Sequence, residues 1–285
     1  MAPNPIKGKV EVVAHTRSSV VYAMKDDRQS ILKAGAVWID GKPYGFRPGS
    51  QNSSSDLQRE ARIYEALGEH ERIVSYRGIE LHQDTNEAWA LRLERAPYGS
   101  LRQHIIDCLQ SPHRKPPDMN TRLRIAVEFA EGVQHVHDRD ILWGDVSTRN
   151  ALVFDHFRIK LCDFAGSRLD GVFDNITYQY ETRYCPPGPE KDSPAVGTME
   201  RELFALGSAI YEITEWNLPY GAEADEEDVD KALGRGESPG LASDNPAEWI
   251  IRQCWEFKFS SAQEVVSALN ATLMQRKRDP MSIMA

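Results

Sequence analysis

The 285-residue sequence predicts an α+β protein in which a small antiparallel sheet precedes a helix-rich region. Three observations lead there. The N-terminal third is dominated by short β-branched runs set between polar turns, the pattern of half-buried strands. Beyond Pro97-Tyr98-Gly99-Ser100 apolar residues recur at the spacing of one helical face. With 41 % hydrophobic and 9 % aromatic residues the chain can anchor a sizeable core, which excludes wholesale disorder.

Taken in order, Val10 to Val13, Val20 to Met24 and Ile31 to Trp38 read as the strands of a meander, with Asp26-Asp27-Arg28-Gln29 turning between the last two. Between Asp40 and Asp56, Gly41-Lys42-Pro43-Tyr44-Gly45 and Pro48-Gly49-Ser50 lead into a serine-rich run without periodicity, which is expected to be a mobile surface insertion. A helix is expected from Asp56, with Leu57, Ala61, Tyr64 and Leu67 on one stripe and Gly68 as its stop. Ile73 to Tyr76 and Trp89 to Leu93 follow as strands. Helices are then expected over Leu101 to Leu109 and Thr121 to His137, the second burying Leu123, Val127, Ala130 and Val133. β character returns at Ala151 to Val153 and Ile159 to Leu161, an irregular stretch runs from Asp163 to Val196, and Glu200 to Thr214 is helical. Two helices near Pro246 to Trp255 and Ser261 to Leu273 close the chain. Arg276-Lys277-Arg278 has the form of a targeting patch, but at a helix end it more simply complements the macrodipole.

Composition narrows the function classes. The net charge of −9 disfavours phosphate-backbone binding, which cations drive, so no nucleic-acid partner is expected. Cys108, Cys162, Cys185 and Cys254 are scattered without C-x-x-C spacing, which argues against a zinc site or a disulfide framework and for a reducing, cytoplasmic setting, with a nuclear one open. No basic n-region precedes an apolar run, and no stretch is long and apolar enough for a membrane span, so no membrane partner is expected.

The chemistry concentrates in Trp143-Gly144-Asp145-Val146-Ser147-Thr148-Arg149-Asn150, followed 18 residues after Asp145 by Asp163-Phe164-Ala165-Gly166. Phosphoryl transfer from a metal–nucleotide complex needs one carboxylate to orient the incoming hydroxyl, and a carboxylate and an amide to hold Mg²⁺ on the phosphates. Asp145, Asp163 and Asn150 supply that set. These segments resemble the eukaryotic protein-kinase family, whose catalytic loop is H-R-D-x-x-x-x-N and whose metal loop is D-F-G. The flavour of Leu161 to Ser167 and Phe204 to Gly207 is similar to divergent kinase-like proteins of filamentous fungi. The resemblance implies a bilobal fold, read here as one domain over 1–285 with an N-lobe at 8–95, a C-lobe at 96–274 and a tail at 275–285.

The same resemblance implies that Lys33, ending Ser30-Ile31-Leu32-Lys33, holds the α/β-phosphates of ATP and pairs with Glu60 on the first long helix. Lys25, in Tyr22-Ala23-Met24-Lys25, is closer to the family's V-A-I-K, but a strand there leaves too little chain upstream. Arg149 completes the candidate catalytic set with Asp145, Lys33 and Glu60. Val21, Ile31, Leu93, Glu94, Ala96 and Leu152 are the implied nucleotide contacts, with Leu93 as gatekeeper and the Arg95/Ala96 backbone on the adenine. Asn150 and Asp163 are the implied Mg²⁺ ligands. Glu202 to Gly207, Pro219-Tyr220 and Cys254-Trp255 match family landmarks remote from the nucleotide.

Several positions depart from the pattern. Ala14, Thr16 and Ser19 stand where the phosphate loop has glycines, Ile31 replaces a small residue and crowds the adenine pocket, and Trp143-Gly144 replaces His-Arg. Without that arginine, a phosphate on Thr177, Tyr178, Tyr180 or Thr182 lacks its usual partner. Ala165 replaces a glycine and stiffens the metal loop. Glu202 replaces an aspartate that holds the catalytic-loop backbone, with a side chain long enough to reach. Tyr184 to Glu190 only approximates A-P-E, and no arginine in Phe257-Lys258-Phe259-Ser260 is available to anchor Glu190. The expected activity is an ATP-dependent protein kinase, of Ser/Thr type, acting on a protein substrate. A pseudokinase scaffold, favoured by the missing glycines, and a small-molecule kinase or tRNA-modifying kinase-like ATPase, suggested by Gly144-Asp145, are the alternatives.

Overall fold

A computed structural model describes residues 8–15, 19–35, 37–39, 42–44, 53–81, 86–174, 180–188 and 197–278. The chain divides into two compact units, Met1–Pro97 and Tyr98–Ala285. The first holds β1 (Val10–His15), β2 (Val20–Met24), β3 (Ser30–Ala34), β4 (Val37–Ile39), β5 (Lys42–Tyr44), α1 (Ser53–Leu67), β6 (Tyr76–Leu81) and β7 (Ala88–Glu94). Five strands form an antiparallel sheet in the order β1-β2-β3-β7-β6.

Register decides what this sheet does. Val21 opposes Lys33, which opposes Leu91; Ala23 opposes Ile31, which opposes Leu93. Opposed residues project to the same side and alternate residues share a face. One face therefore carries Val21, Ile31, Lys33 and Leu93, while Val20, Tyr22, Leu32, Ala34 and Ala90 on the other close into an apolar cluster. Helix α1 buries Leu57, Ala61, Tyr64 and Leu67 as its stripe requires, and Gly68 ends it at φ +65° with its N–H on the Tyr64 carbonyl.

Three local expectations change. The run Ile31 to Trp38 breaks near Gly35, and β4 leaves the sheet to pair with β5 in a separate hairpin. Part of the expected insertion is therefore strand, and α1 starts at Ser53 rather than Asp56; residues 45–52 lie outside the described residues. Ile73 and Val74 are buried, but the Ile73 N–H bonds the His70 carbonyl in a turn, and the strand begins only at Tyr76.

The second unit holds α2 (Leu101–Leu109), α3 (Met119–His137), β8 (Ile141–Leu142), β9 (Ala151–Val153), β10 (Ile159–Leu161), β11 (Arg168–Leu169), α4 (Met199–Glu215), α5 (Glu226–Gly234), α6 (Glu248–Trp255) and α7 (Ala262–Arg278). Ser100 and Asp118 cap α2 and α3 by accepting the Gln103 and Thr121 amides. Helix α4 is buried on all sides from Glu202 to Thr214, the mark of a central helix. Helix α5 was not legible from periodicity, because its first turn is Glu226-Glu227-Asp228; its signal was the Asp225 cap. Helix α7 runs past Leu273 to Arg278, so the basic cluster occupies its last turn.

Two short ribbons set up the site. Strand β8 pairs with β11, and β9 pairs with β10, both antiparallel. The loop 143–150 joins β8 to β9 and the segment 162–167 joins β10 to β11. Both segments are thus held at both ends by the same two ribbons, which brings Asp145 and Asp163 near each other despite their separation in sequence.

Candidate active site

In the first unit the Lys33 ammonium sits 2.8 and 2.7 Å from the two carboxylate oxygens of Glu60, with both residues buried. At this depth each ion offsets the hydration that the other has lost. Lys25 lies just past β2 and is exposed, so the alternative strand assignment fails. Val21, Ile31 and Leu93 share the Lys33 face, as the register dictates. Ile31 stays partly exposed there, at the position expected to be small. One expected base contact changes: the Arg95 N–H donates to the Gln29 carbonyl at 2.8 Å and cannot also donate to an adenine. Glu94 accepts the Ser75 N–H at 3.2 Å through its side chain, and Ala96 follows in the same connecting segment. Of the three positions that lack glycine, Ala14 pairs with Val21 within the sheet, Ser19 is buried, and Thr16 lies outside the described residues.

In the second unit the catalytic-loop residues converge. Asn150 donates its side-chain amide to Asp145 twice, to Oδ2 at 2.7 Å and to the backbone carbonyl at 3.0 Å. Arg149 reaches Asp145 Oδ1 at 3.1 Å. Burial pushes the Asp145 carboxyl up to about 6, against the pull of Arg149 and Asn150 and with a smaller push from the neighbouring Asp163 and Glu181 charges. A carboxylate that gives up its proton only near neutrality is poised for proton transfer. Leu152 lies on β9 and bridges to Ser100.

The substitutions that broke the expected pattern are compensated here. Trp143 is fully buried, packs against Phe164 and Phe129 at ring separations of 5.4 and 6.3 Å, and donates its indole N–H to the Asp163 carbonyl at 2.8 Å. Asp163 has φ +63°, a left-handed conformation that costs a non-glycine residue energy and needs such support. Gly144, at φ +83°, supplies the left-handed step before Asp145 without a Cβ penalty. Its N–H donates to Glu202 Oε1 at 2.6 Å, so the longer acid does reach the loop; the other Glu202 oxygen is 2.8 Å from His137 Nε2. Glu190, Thr177 and Tyr178 lie outside the described residues, whereas the Tyr180 hydroxyl donates to Glu202 at 3.3 Å.

Among the described residues, no cluster of three or more His, Cys, Asp or Glu side chains could hold a metal by itself. Asp163 and Asn150 instead offer hard oxygen donors in the small number that suits Mg²⁺ bound partly by phosphates and water. With its amide nitrogen committed to Asp145, Asn150 turns its carbonyl oxygen elsewhere as a donor. The donor set therefore fits the implied metal. The Glu212 carboxylate, which binds Arg102, Thr148 and Tyr184, went unread in the sequence, although an acid inside Ala209-Ile210-Tyr211-Glu212-Ile213 was a signal of a buried polar network.

The family model described as protein tyrosine and serine/threonine kinase matches residues 46–269. The chain belongs to that family. It is 27 % identical over 220 residues to the mouse leucine-rich repeat serine/threonine-protein kinase 1, covering 72 % of this chain and 10 % of the relative. It is 29 % identical over 127 residues to the "Probable serine/threonine-protein kinase PBL25" of Arabidopsis thaliana, 42 % of this chain and 32 % of the relative. Against the Arabidopsis serine/threonine/tyrosine-protein kinase HT1 the identity is 26 % over 163 residues, 55 % of this chain and 40 % of the relative. The chain thus spans well under half the length of these curated relatives. They come from a plant and a mouse, so the likeness to fungal kinase-like proteins rests on the motifs alone. The kinase family's fold, an antiparallel-sheet N-terminal region followed by a helical C-terminal region, is the one observed. The matched region begins after β1–β5, so the assignment of Lys33 rests on its geometry with Glu60.

Proposed function

We propose that the chain is an ATP-dependent protein kinase that transfers the γ-phosphate to a serine or threonine hydroxyl of a protein. The observation that carries this is the convergence of buried Asn150 and the Arg149 guanidinium on the half-buried Asp145 carboxylate, next to the buttressed Asp163. When bound, Mg²⁺-ATP supplies the phosphoryl group and neutralises its developing charge. Asn150 and Asp163 would hold the metal, and Lys33, positioned by Glu60, would bind the phosphates. Val21, Ile31, Leu93, Glu94, Ala96 and Leu152 would contact the nucleotide. Asp145, aimed by Arg149 and Asn150, accepts the hydroxyl proton as the oxygen attacks. The names of the relatives support Ser/Thr specificity, and family membership supports transfer over a scaffold role. The acidic balance and the scattered thiols support a cytoplasmic setting with no nucleic-acid partner.

Asp145→Asn tests this, since it keeps size and most hydrogen bonds while removing the base. Transfer to casein or a peptide panel should fall by roughly 10²–10⁴ while Mg²⁺-ATP affinity stays within a few-fold. Wild-type protein that binds ATP yet transfers no faster than the variant would make the chain a pseudokinase. Transfer confined to a small alcohol or sugar would make it a small-molecule kinase.

A further inference from the structure

One carboxylate of the helical unit sits among three arginines, and no motif accounts for it. Glu181 immediately precedes the short 3-10 turn Thr182–Tyr184. It accepts from Arg102 Nη1 at 3.1 and 3.0 Å, and lies 2.6 Å from Arg149 Nε and 3.5 Å from Arg183 Nε. Each arginine is tied down on its far side. Arg102 is buried and bonds the fully buried Glu212, which also accepts the Tyr184 hydroxyl at 2.9 Å. Arg183 donates to the carbonyls of Pro219, Gly221 and Ala224. Arg149 extends from Glu181 to Asp145 Oδ1 at 3.1 Å.

We propose that Glu181 is a positioning residue for phosphoryl transfer: a built-in anion that pins its segment to Arg102 and Arg183 and aims Arg149 at Asp145. It does what an added phosphate on such a segment would do, which is to gather guanidinium groups around a fixed negative charge. Because the charge is encoded in the chain, transfer does not require phosphorylation of the segment. A phosphate on Tyr180 would instead meet the Glu202 carboxylate that its hydroxyl now contacts. The inference rests on Asp145 acting as the base.

The test begins with wild-type protein treated with a broad-specificity phosphatase, which should keep its kcat within two-fold. A loss of ten-fold or more that rephosphorylation restores would overturn the proposal. Glu181→Gln should lower kcat by about 10- to 10²-fold, the scale of a misaimed catalytic group, with KM for Mg²⁺-ATP within two-fold. Glu181→Asp keeps the charge and should fall between the two. A Gln variant with kcat within two-fold of wild type, or Asp and Gln variants equally impaired, would overturn it, and the Asp variant and phosphatase arms stand even if the Gln variant does not fold. Hydrogen exchange of amides 180–188 should speed up at least ten-fold in Glu181→Gln. That readout needs no turnover: an inactive wild type would sink the Asp145 reading, whereas unchanged exchange would sink the clamp.

Discussion

The two units handle charge differently. In the sheet unit one ion pair, Lys33 with Glu60, stands buried on the face opposite an apolar cluster. In the helical unit the charges form a relay from Glu212 through Arg102, Glu181 and Arg149 to Asp145, drawn from helices, loops and a turn far apart in sequence. Losing either member of this pair removes the charge that the other one bonds at 2.7–2.8 Å. The loop that ends this relay has separate supports as well, from the Trp143 indole to the Asp163 carbonyl and from the Gly144 N–H to Glu202. The family model begins only at residue 46, after the strand that carries Lys33, so this pair is known from the structure and not from the match.

The largest effect should come from Asp163→Asn, because a partly dehydrated Mg²⁺ needs the anion. The Mg²⁺-dependent part of the thermal shift by ATP should vanish; an undiminished shift would place the metal elsewhere and remove Asp163 from the helical unit's machinery.

Lys33→Met should be next, and should damage stability as well as activity. It takes the Lys33 charge away from Glu60, which is 1 % exposed; breaking a buried ion pair costs about 3–5 kcal/mol. Chemical denaturation should show Lys33→Met/Glu60→Gln recovering much of that loss with activity still absent, while Lys25→Met is neutral in both. If the double variant is no more stable than the single, the ion-pair side of the comparison breaks.

A smaller effect of opposite sign is expected in the helical unit. Asp145 holds its proton to about 6 in the folded protein, well above the ordinary carboxyl value of 3.8, so it favours folding at low pH and penalises it as pH rises through 6. Metal-free Asp145→Asn should therefore be more stable than wild type at pH 8, by about 1–3 kcal/mol, with the gap closing below pH 4. A wild type more stable than the variant at pH 8 would mean that the relay, not burial, dominates at Asp145.

The smallest shift concerns packing. A Cβ on Gly207 of α4 would stand 2.4 Å from Cys254 Cβ and 3.3 Å from the Trp255 ring. Gly207→Ala should cost about 1–2 kcal/mol, since overpacking outweighs the gain in helix propensity. A raised melting temperature would show that α6 can yield.

Most elements were legible because their signals are local. The stripe Leu57, Ala61, Tyr64, Leu67, the Gly68 stop and the strands Ala151–Val153 and Ile159–Leu161 follow from periodicity and turn chemistry within a few residues. The misread segments were those where local signals conflict: apolar Ile73 and Val74 buried in a turn, glycine-interrupted Ile31 to Trp38, and an α5 whose acidic start masks its apolar face. The candidates Asp145, Asn150 and Asp163 were legible from their residue types and their match to the kinase motifs, and Lys33 and Glu60 only through the resemblance to that family.

The amino-acid order alone set out the candidate side chains, Lys33, Glu60, Asp145, Asn150 and Asp163, and their sequence along the chain. Only the tertiary structure decided that Lys33 rather than Lys25 meets Glu60, that the Trp143 indole supports Asp163, and that Glu181 falls among Arg102, Arg149 and Arg183. The physical reason is range. Helix and strand patterns are written in neighbours a few residues apart, whereas a buried charge finds partners wherever packing brings them, and what drives it to them is the cost of being left without one.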